Sequence, residues 1–213
     1  MGHPLTDDEL VAALAPLSLR SRLDPPAVAR AEGRGLTAPD DVAALIDHVE
    51  QGLFASPFSP ATDLGPDRRQ EVAASIAFQA VAAQILNPVL LAHRVLGVGL
   101  FPVFGDVRWR ADGWAVRYGL SELRRGEPMP TRAVLDRFDQ QIAGFLADAV
   151  NRAAPVPVPG RILLGNARAA VHTALVAVGE APPEPFVRDS CCLIHLAGLA
   201  PCTECPLGGP DGP

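Results

Sequence analysis

Apolar residues return every three or four positions along most of this chain, the spacing of helices that bury one face. Thr6 and Glu9 have the capping-box form ahead of Leu10, Val11 and Leu14, so a short helix opens the chain and Pro16 limits it. Val42, Leu45, Ile46 and Val49 repeat at helical spacing behind Pro39 and stop at Gly52. Pro57, Pro60 and Pro66 mark a loop, and a long helix is predicted from Asp67 to Leu86. Ala73 to Ala92 carries no charge over 20 positions, about the length of a bilayer span. Gln79, Gln84, Asn87 and Pro88 interrupt it, so we expect a buried core helix with no integral membrane span, leaving peripheral membrane contact open.

The period changes at Val107. Val107 to Arg110 and Trp114 to Tyr118 flank Ala111-Asp112-Gly113, the signal of a β-hairpin with an Asp-Gly turn. From Thr131, behind Pro128 and Pro130, the residues Val134, Leu135, Phe138, Ile142, Phe145, Leu146 and Ala149 resume the helical period. Alternating prolines in Ala154 to Gly160 predict an extended, stiff connector. Ala167, Ala170, Val171, Ala174, Leu175 and Val178 follow as one helical face, with Asn166 the expected N-cap and Gly179 the expected C-cap. Residues 208–213 are expected to fray. The expected fold is mainly α (α+β), a single helical domain with a small antiparallel β-hairpin or sheet. Residues 1–160 form the helical body, and 161–213 add a C-terminal helix and a cysteine segment.

A length of 213 residues with 48% hydrophobic side chains suffices for an ordinary core and disfavours disorder. The net charge of −6 argues against a phosphate-binding surface, so no nucleic-acid partner is expected. Every one of the 18 basic residues is arginine, so anion contacts would fall to planar guanidinium forks. The first residues lack the basic and apolar regions of a secretory signal, which makes a cytoplasmic location the expectation.

All four cysteines fall within 15 residues as C-C-x9-C-x2-C: Cys191, Cys192, Cys202 and Cys205. Two disulfides would require an oxidising compartment and are not expected. Structural zinc is the sober alternative, since Cys202 and Cys205 have knuckle spacing. Adjacent cysteines, however, aim their side chains apart in extended backbone and suit one ion poorly. A binuclear [2Fe–2S] cluster offers two tetrahedral corners, so neighbouring cysteines need not converge, and four thiolates complete it. The four cysteines are therefore the expected ligands of such a cluster.

Arg188-Asp189-Ser190-Cys191-Cys192-Leu193, followed by Cys202-Thr203-Glu204-Cys205-Pro206-Leu207, resembles the C-terminal signature of the FhuF-like ferric siderophore reductases. Leu163 to Ala170 is similar to that family's Gly-Asn segment, and Pro88 to Trp109 resembles it more loosely, so the likeness covers the C-terminal two-thirds. Two departures stand out: the nine-residue spacer is one shorter than the family's, and Ile194-His195-Leu196 stands where an aromatic and an arginine are commoner. The resemblance implies a one-electron ferric siderophore reductase, with a ferric siderophore as substrate and a ferredoxin-like electron donor as partner. An electron-transfer or iron-sensing protein, and a zinc-stabilised binding module, are the alternatives.

Around the cysteines, His195 could donate to a cluster sulfur or stand as a surface imidazole. Arg188 and Arg168 could brace the loop or meet an anion, the structural role being favoured, and Asn166 could both cap its helix and pack under the cluster. Trp109 and Trp114 are expected in the core rather than on a planar ligand. His48, His93 and His172 have no matching ligand at helical spacing, and no G-x-G-x-x-G or G-x4-G-K-S/T occurs, so no second metal site or nucleotide site is expected.

Overall fold

Proline placement sets where the helices begin. In the computed structural model, which describes residues 5–17, 23–55, 63–200 and 205–206, Pro26, Pro39 and Pro66 each sit in the first turn of a helix, where a missing N–H costs nothing. The expected capping box is present: Glu9 N–H donates to Thr6 Oγ1 at 3.3 Å and Thr6 N–H donates to Glu9 at 2.7 Å. It opens α1 (Asp7–Leu14). The chain continues through β1 (Leu23–Asp24), α2 (Pro26–Glu32), β2 (Arg34–Gly35) and α3 (Pro39–Phe54) to the long α4 (Pro66–Leu91). Then come β3 (Gly99–Leu100), β4 (Val107–Asp112), β5 (Ala115–Leu120), β6 (Arg125–Gly126), α5 (Thr131–Phe138), α6 (Gly144–Ala153) and α7 (Gly160–Ala177).

The fold class is mainly α with a small sheet, as expected, and α4 is its spine. Helices α3 and α7 pack along it, with α6 against both α3 and α4. Val72, Ala73, Ala74, Ala77, Phe78, Val81, Ala82, Ile85 and Leu86 are all closed to solvent. A helix apolar on every side reads like a membrane span; here 72% of its most apolar window is buried by the chain itself.

Several boundaries differ from the sequence expectation, and α3 runs past Gly52 to Phe54. Helix α4 does not stop at Leu86 but runs through Pro88 to Leu91, then five residues of π-helix, Ala92–Leu96. An interior proline costs about 3 kcal/mol. Burial of Leu86, Val89, Leu90 and Leu91 around it, at about 1.5–3 kcal/mol for each fully buried side chain, outweighs that cost. Gly97 ends the run with φ 65°, its left-handed backbone letting Val98 N–H reach Ala92 O at 2.9 Å. The helix predicted from Thr131 is present but carries a π-helical interruption at Asp139–Ala143 between α5 and α6.

The hairpin turn is shifted by one residue. Asp112 pairs with Ala115, so Gly113 and Trp114 form the two-residue loop, Gly113 having φ 61°. Trp114 is therefore 65% exposed at the tip, against the expectation of a core residue, whereas Trp109 is buried and donates from Nε1 to Asp41 O at 3.2 Å. The sheet is mixed rather than antiparallel throughout, with order β1-β5-β4-β2 and β1 parallel to β5; β3 and β6 form a separate antiparallel pair.

Asn166 is not a cap. Helix α7 starts six residues earlier, behind Pro159, because Ile162 and Leu163 are also core residues. Gly179 does close it, as a Schellman motif: φ is 71°, Glu180 N–H donates to Leu175 O at 2.9 Å and Gly179 N–H to Val176 O at 3.1 Å. The connector ahead of α7 does not run straight: its backbone is extended at Ala154 and Pro159 but bends over residues 154–156, with Val158 tucked into the core and its N–H donating to Asn151 Oδ1 at 2.9 Å.

Candidate metal centre

Asn166 sits fully buried in the middle of α7, facing α4. A buried carboxamide must find partners, and it finds them across 91 residues of chain: Nδ2 donates to Ser75 O at 2.9 Å and to Ser75 Oγ at 3.0 Å. Its Oδ1 accepts from Arg188 Nη1 at 3.3 Å, and the same Nη1 donates to Gln79 Oε1 at 3.0 Å. Arg188 is only 5% exposed. Ser75 Oγ donates in turn to Cys192 O at 2.9 Å. One polar network thus ties α4 and α7 to the segment that bears the first two cysteines.

A second tie runs along α7. Ser190 Oγ donates to Arg161 O at 2.8 Å, and a Cβ added at Gly165 would stand 2.2 Å from that Oγ. Glycine at 165 leaves room for that hydroxyl against the helix. Arg168 pairs with Asp189 outside this contact, an exposed ion pair worth little.

Beyond Cys192 the backbone at Leu193 turns left-handed, φ 70°, at a cost of about 1 kcal/mol for a residue with a Cβ. The Leu193 N–H donates to Cys191 Sγ at 3.3 Å. A 3₁₀ turn, Ile194–Ala197, then brings His195 Nδ1 to 3.1 Å from the same sulfur. Cys205 Sγ lies 3.7 Å from Cys191 Sγ on the other side. Burial pushes the Cys191 thiol up to about 11; the Leu193 amide opposes that, while Cys205 and Cys192 add to it.

Cys191, Cys192 and Cys205 are free thiols, and the sulfurs of Cys191 and Cys205 face each other. Cys202 lies outside the described residues. Among the described residues no group of three or more His, Cys, Asp or Glu side chains is arranged to hold a metal ion. What is present is a pair: two thiolates on one tetrahedral metal, with bonds of about 2.3 Å, stand about 3.8 Å apart, close to the Cys191–Cys205 separation.

A cavity of about 200 Å³ opens beside Cys192, lined by Ile76, Gln79, Ala80, Ala83, Arg188 and Ile194. A larger cleft of about 480 Å³ lies between α3 and β4, lined by Arg34, Asp47, His48, Trp109 and Arg110 among others, and shares no residue with the first. His93 and His172 serve as packing groups: His93 Nδ1 accepts from Met129 N–H at 3.0 Å, and His172 stacks on Phe186.

Ser75, Gln79 and Gly165 were not singled out by the sequence as parts of the site. A signal was available for two of them: polar residues four apart on an otherwise apolar helix need buried partners. No family profile matches the chain, and no curated protein matches it.

Proposed function

We propose that the four cysteines hold a [2Fe–2S] group and that the protein is a ferric siderophore reductase. The observation that carries the metal reading is the Cys191–Cys205 separation of 3.7 Å, with the Leu193 amide already aimed at Cys191 Sγ. The resemblance of Arg188 to Leu193 and Cys202 to Leu207 to the FhuF-like signature supports iron over zinc. When bound, such a group supplies a one-electron carrier whose potential depends on its surroundings.

The chain's own residues do the rest. Ser75, Asn166, Arg188 and Gln79 fix the Cys191–Cys192 segment on the helical body, so that the sulfurs keep their positions when charge changes. Leu193 and Ala197 plug the loop into the core. A reduced, ferredoxin-like donor provides one electron; the chelated Fe(III) substrate accepts it and becomes Fe(II), which hard oxygen ligands hold less tightly.

One observation favours a second reading, a plain electron-transfer protein. The cavity at Cys192, about 200 Å³, is smaller than the roughly 300–1,000 Å³ usual for small-molecule sites, so a chelate would meet it edge-on. Two measurements separate the readings. Protein purified without oxygen should contain two irons and two acid-labile sulfides per chain, and should lose both on Cys202→Ser with Cys205→Ser. The reduced protein should then be oxidised by a ferric hydroxamate or catecholate, with Fe(II) trapped by a ferrous chelator. Zinc without sulfide refutes the iron–sulfur reading; a stable reduced group in the presence of every ferric chelate refutes the reductase and leaves the carrier.

A further inference from the structure

Cys191 is approached by two nitrogen atoms, Leu193 N at 3.3 Å and His195 Nδ1 at 3.1 Å. The amide is a donor by nature. A metal-bound thiolate carries no proton and can only accept, so the ring nitrogen that faces it must be the one bearing hydrogen. The position is built rather than accidental. The left-handed backbone at Leu193 starts the turn that follows, Leu196 N–H donates to Leu193 O at 2.9 Å, and Gly198 N–H donates to His195 O at 3.0 Å. Leu193 and Ala197 anchor the turn in the core on either side of the half-buried His195. The imidazole is thus held over the sulfur by a closed turn.

We propose that His195, together with the Leu193 amide, sets the reduction potential of the metal group by donating hydrogen bonds to the Cys191 thiolate; this rests on the cluster reading above. His195 is a positioning residue here, not a ligand. Each donor draws negative charge from the sulfur, and the reduced state, one electron richer, gains more from that than the oxidised state. Both donors act on Cys191, whose sulfur also neighbours Cys205.

Three variants read this out through the midpoint potential of anaerobically purified protein, titrated against redox dyes, with iron and sulfide measured in each sample. His195→Phe keeps the ring and removes the donor. His195→Asn places an amide nitrogen where Nδ1 stands, and His195→Gln moves it to the Nε2 position. His195→Phe should lower the potential, making the reduced form at least tenfold less populated at a fixed potential, a shift of 59 mV for a one-electron couple. His195→Asn should recover most of that and His195→Gln little of it. Equal potentials in wild-type and all three variants, at full iron and sulfide, overturn the inference and leave the cluster reading intact. Absence of iron and sulfide from the wild-type protein overturns both. If the phenylalanine variant fails to fold, the asparagine–glutamine pair decides: equal potentials refute the role of Nδ1.

Discussion

Replacing Asn166 by alanine should destabilise the protein far more than a mid-helix substitution ordinarily does. Alanine is the better helix former by several tenths of a kcal/mol, so local propensity pushes the other way. The carboxamide is fully buried and makes two donor contacts to Ser75 and one acceptor contact to the Arg188 guanidinium. Net values near 1 kcal/mol for a neutral buried hydrogen bond and somewhat more for one to a charged group give a loss of about 3 kcal/mol. For a chain of this size that is a fall of about 6–12 °C in Tm. Thermal melts followed at 222 nm, on metal-free protein, measure it. Thr173→Ala on the same helix serves as the control: its hydroxyl bonds only the preceding turn, at Ala169 O, and its loss should stay within about 0.5 kcal/mol. A Tm within 2 °C of wild type for Asn166→Ala would refute the reasoning, because the network would then contribute nothing beyond what water supplies.

Gly165→Ala should be nearly neutral alone, about 1 kcal/mol of helix propensity offset by displacement of Ser190 and loss of its bond to Arg161; in a Ser190→Ala background it should stabilise by about 1 kcal/mol. Equal effects in the two backgrounds would mean that the close approach is absent. His93 is 4% exposed, its Nδ1 accepting from Met129 N–H while Nε2 lies 3.1 Å from Leu100 O, and burial lowers its pKa from the usual 6.5. The folded state resists a proton that the unfolded chain accepts, so stability present above about pH 6.5 is lost as the pH falls toward the depressed folded value. Chemical denaturation across that range should show a slope that His93→Asn flattens. Removal of the proposed metal group should leave the far-UV circular dichroism unchanged, since among the described residues of the cysteine segment only Leu193 and Ala197 join the main core cluster; a large helical loss would refute that.

Much of the architecture follows from local pattern. The capping box at Thr6, the prolines ahead of α3 and α4, the periodic face from Thr131 and the Gly179 terminus each act within a turn or two, through backbone donors, fixed φ angles and the spacing of apolar side chains. The grouping of all four cysteines in 15 residues is likewise legible without the fold. Long-range packing decided the rest. Whether Pro88 ends a helix depends on how much apolar surface the residues beyond it bury, and here the burial prevails. Whether Asn166 caps a helix or bridges two depends on where α7 begins, which its packing on α4 and the turn after Pro159 settle. β1 pairs in parallel with β5 across 95 residues, which no local period encodes. The same holds at the cysteines. Sequence spacing pairs Cys202 with Cys205, whereas the fold brings Cys205 to Cys191 and adds the Leu193 amide and His195 to that sulfur. A chain writes into its sequence which groups want partners, because that follows from side-chain chemistry; which partner each one meets is a property of the closed tertiary structure.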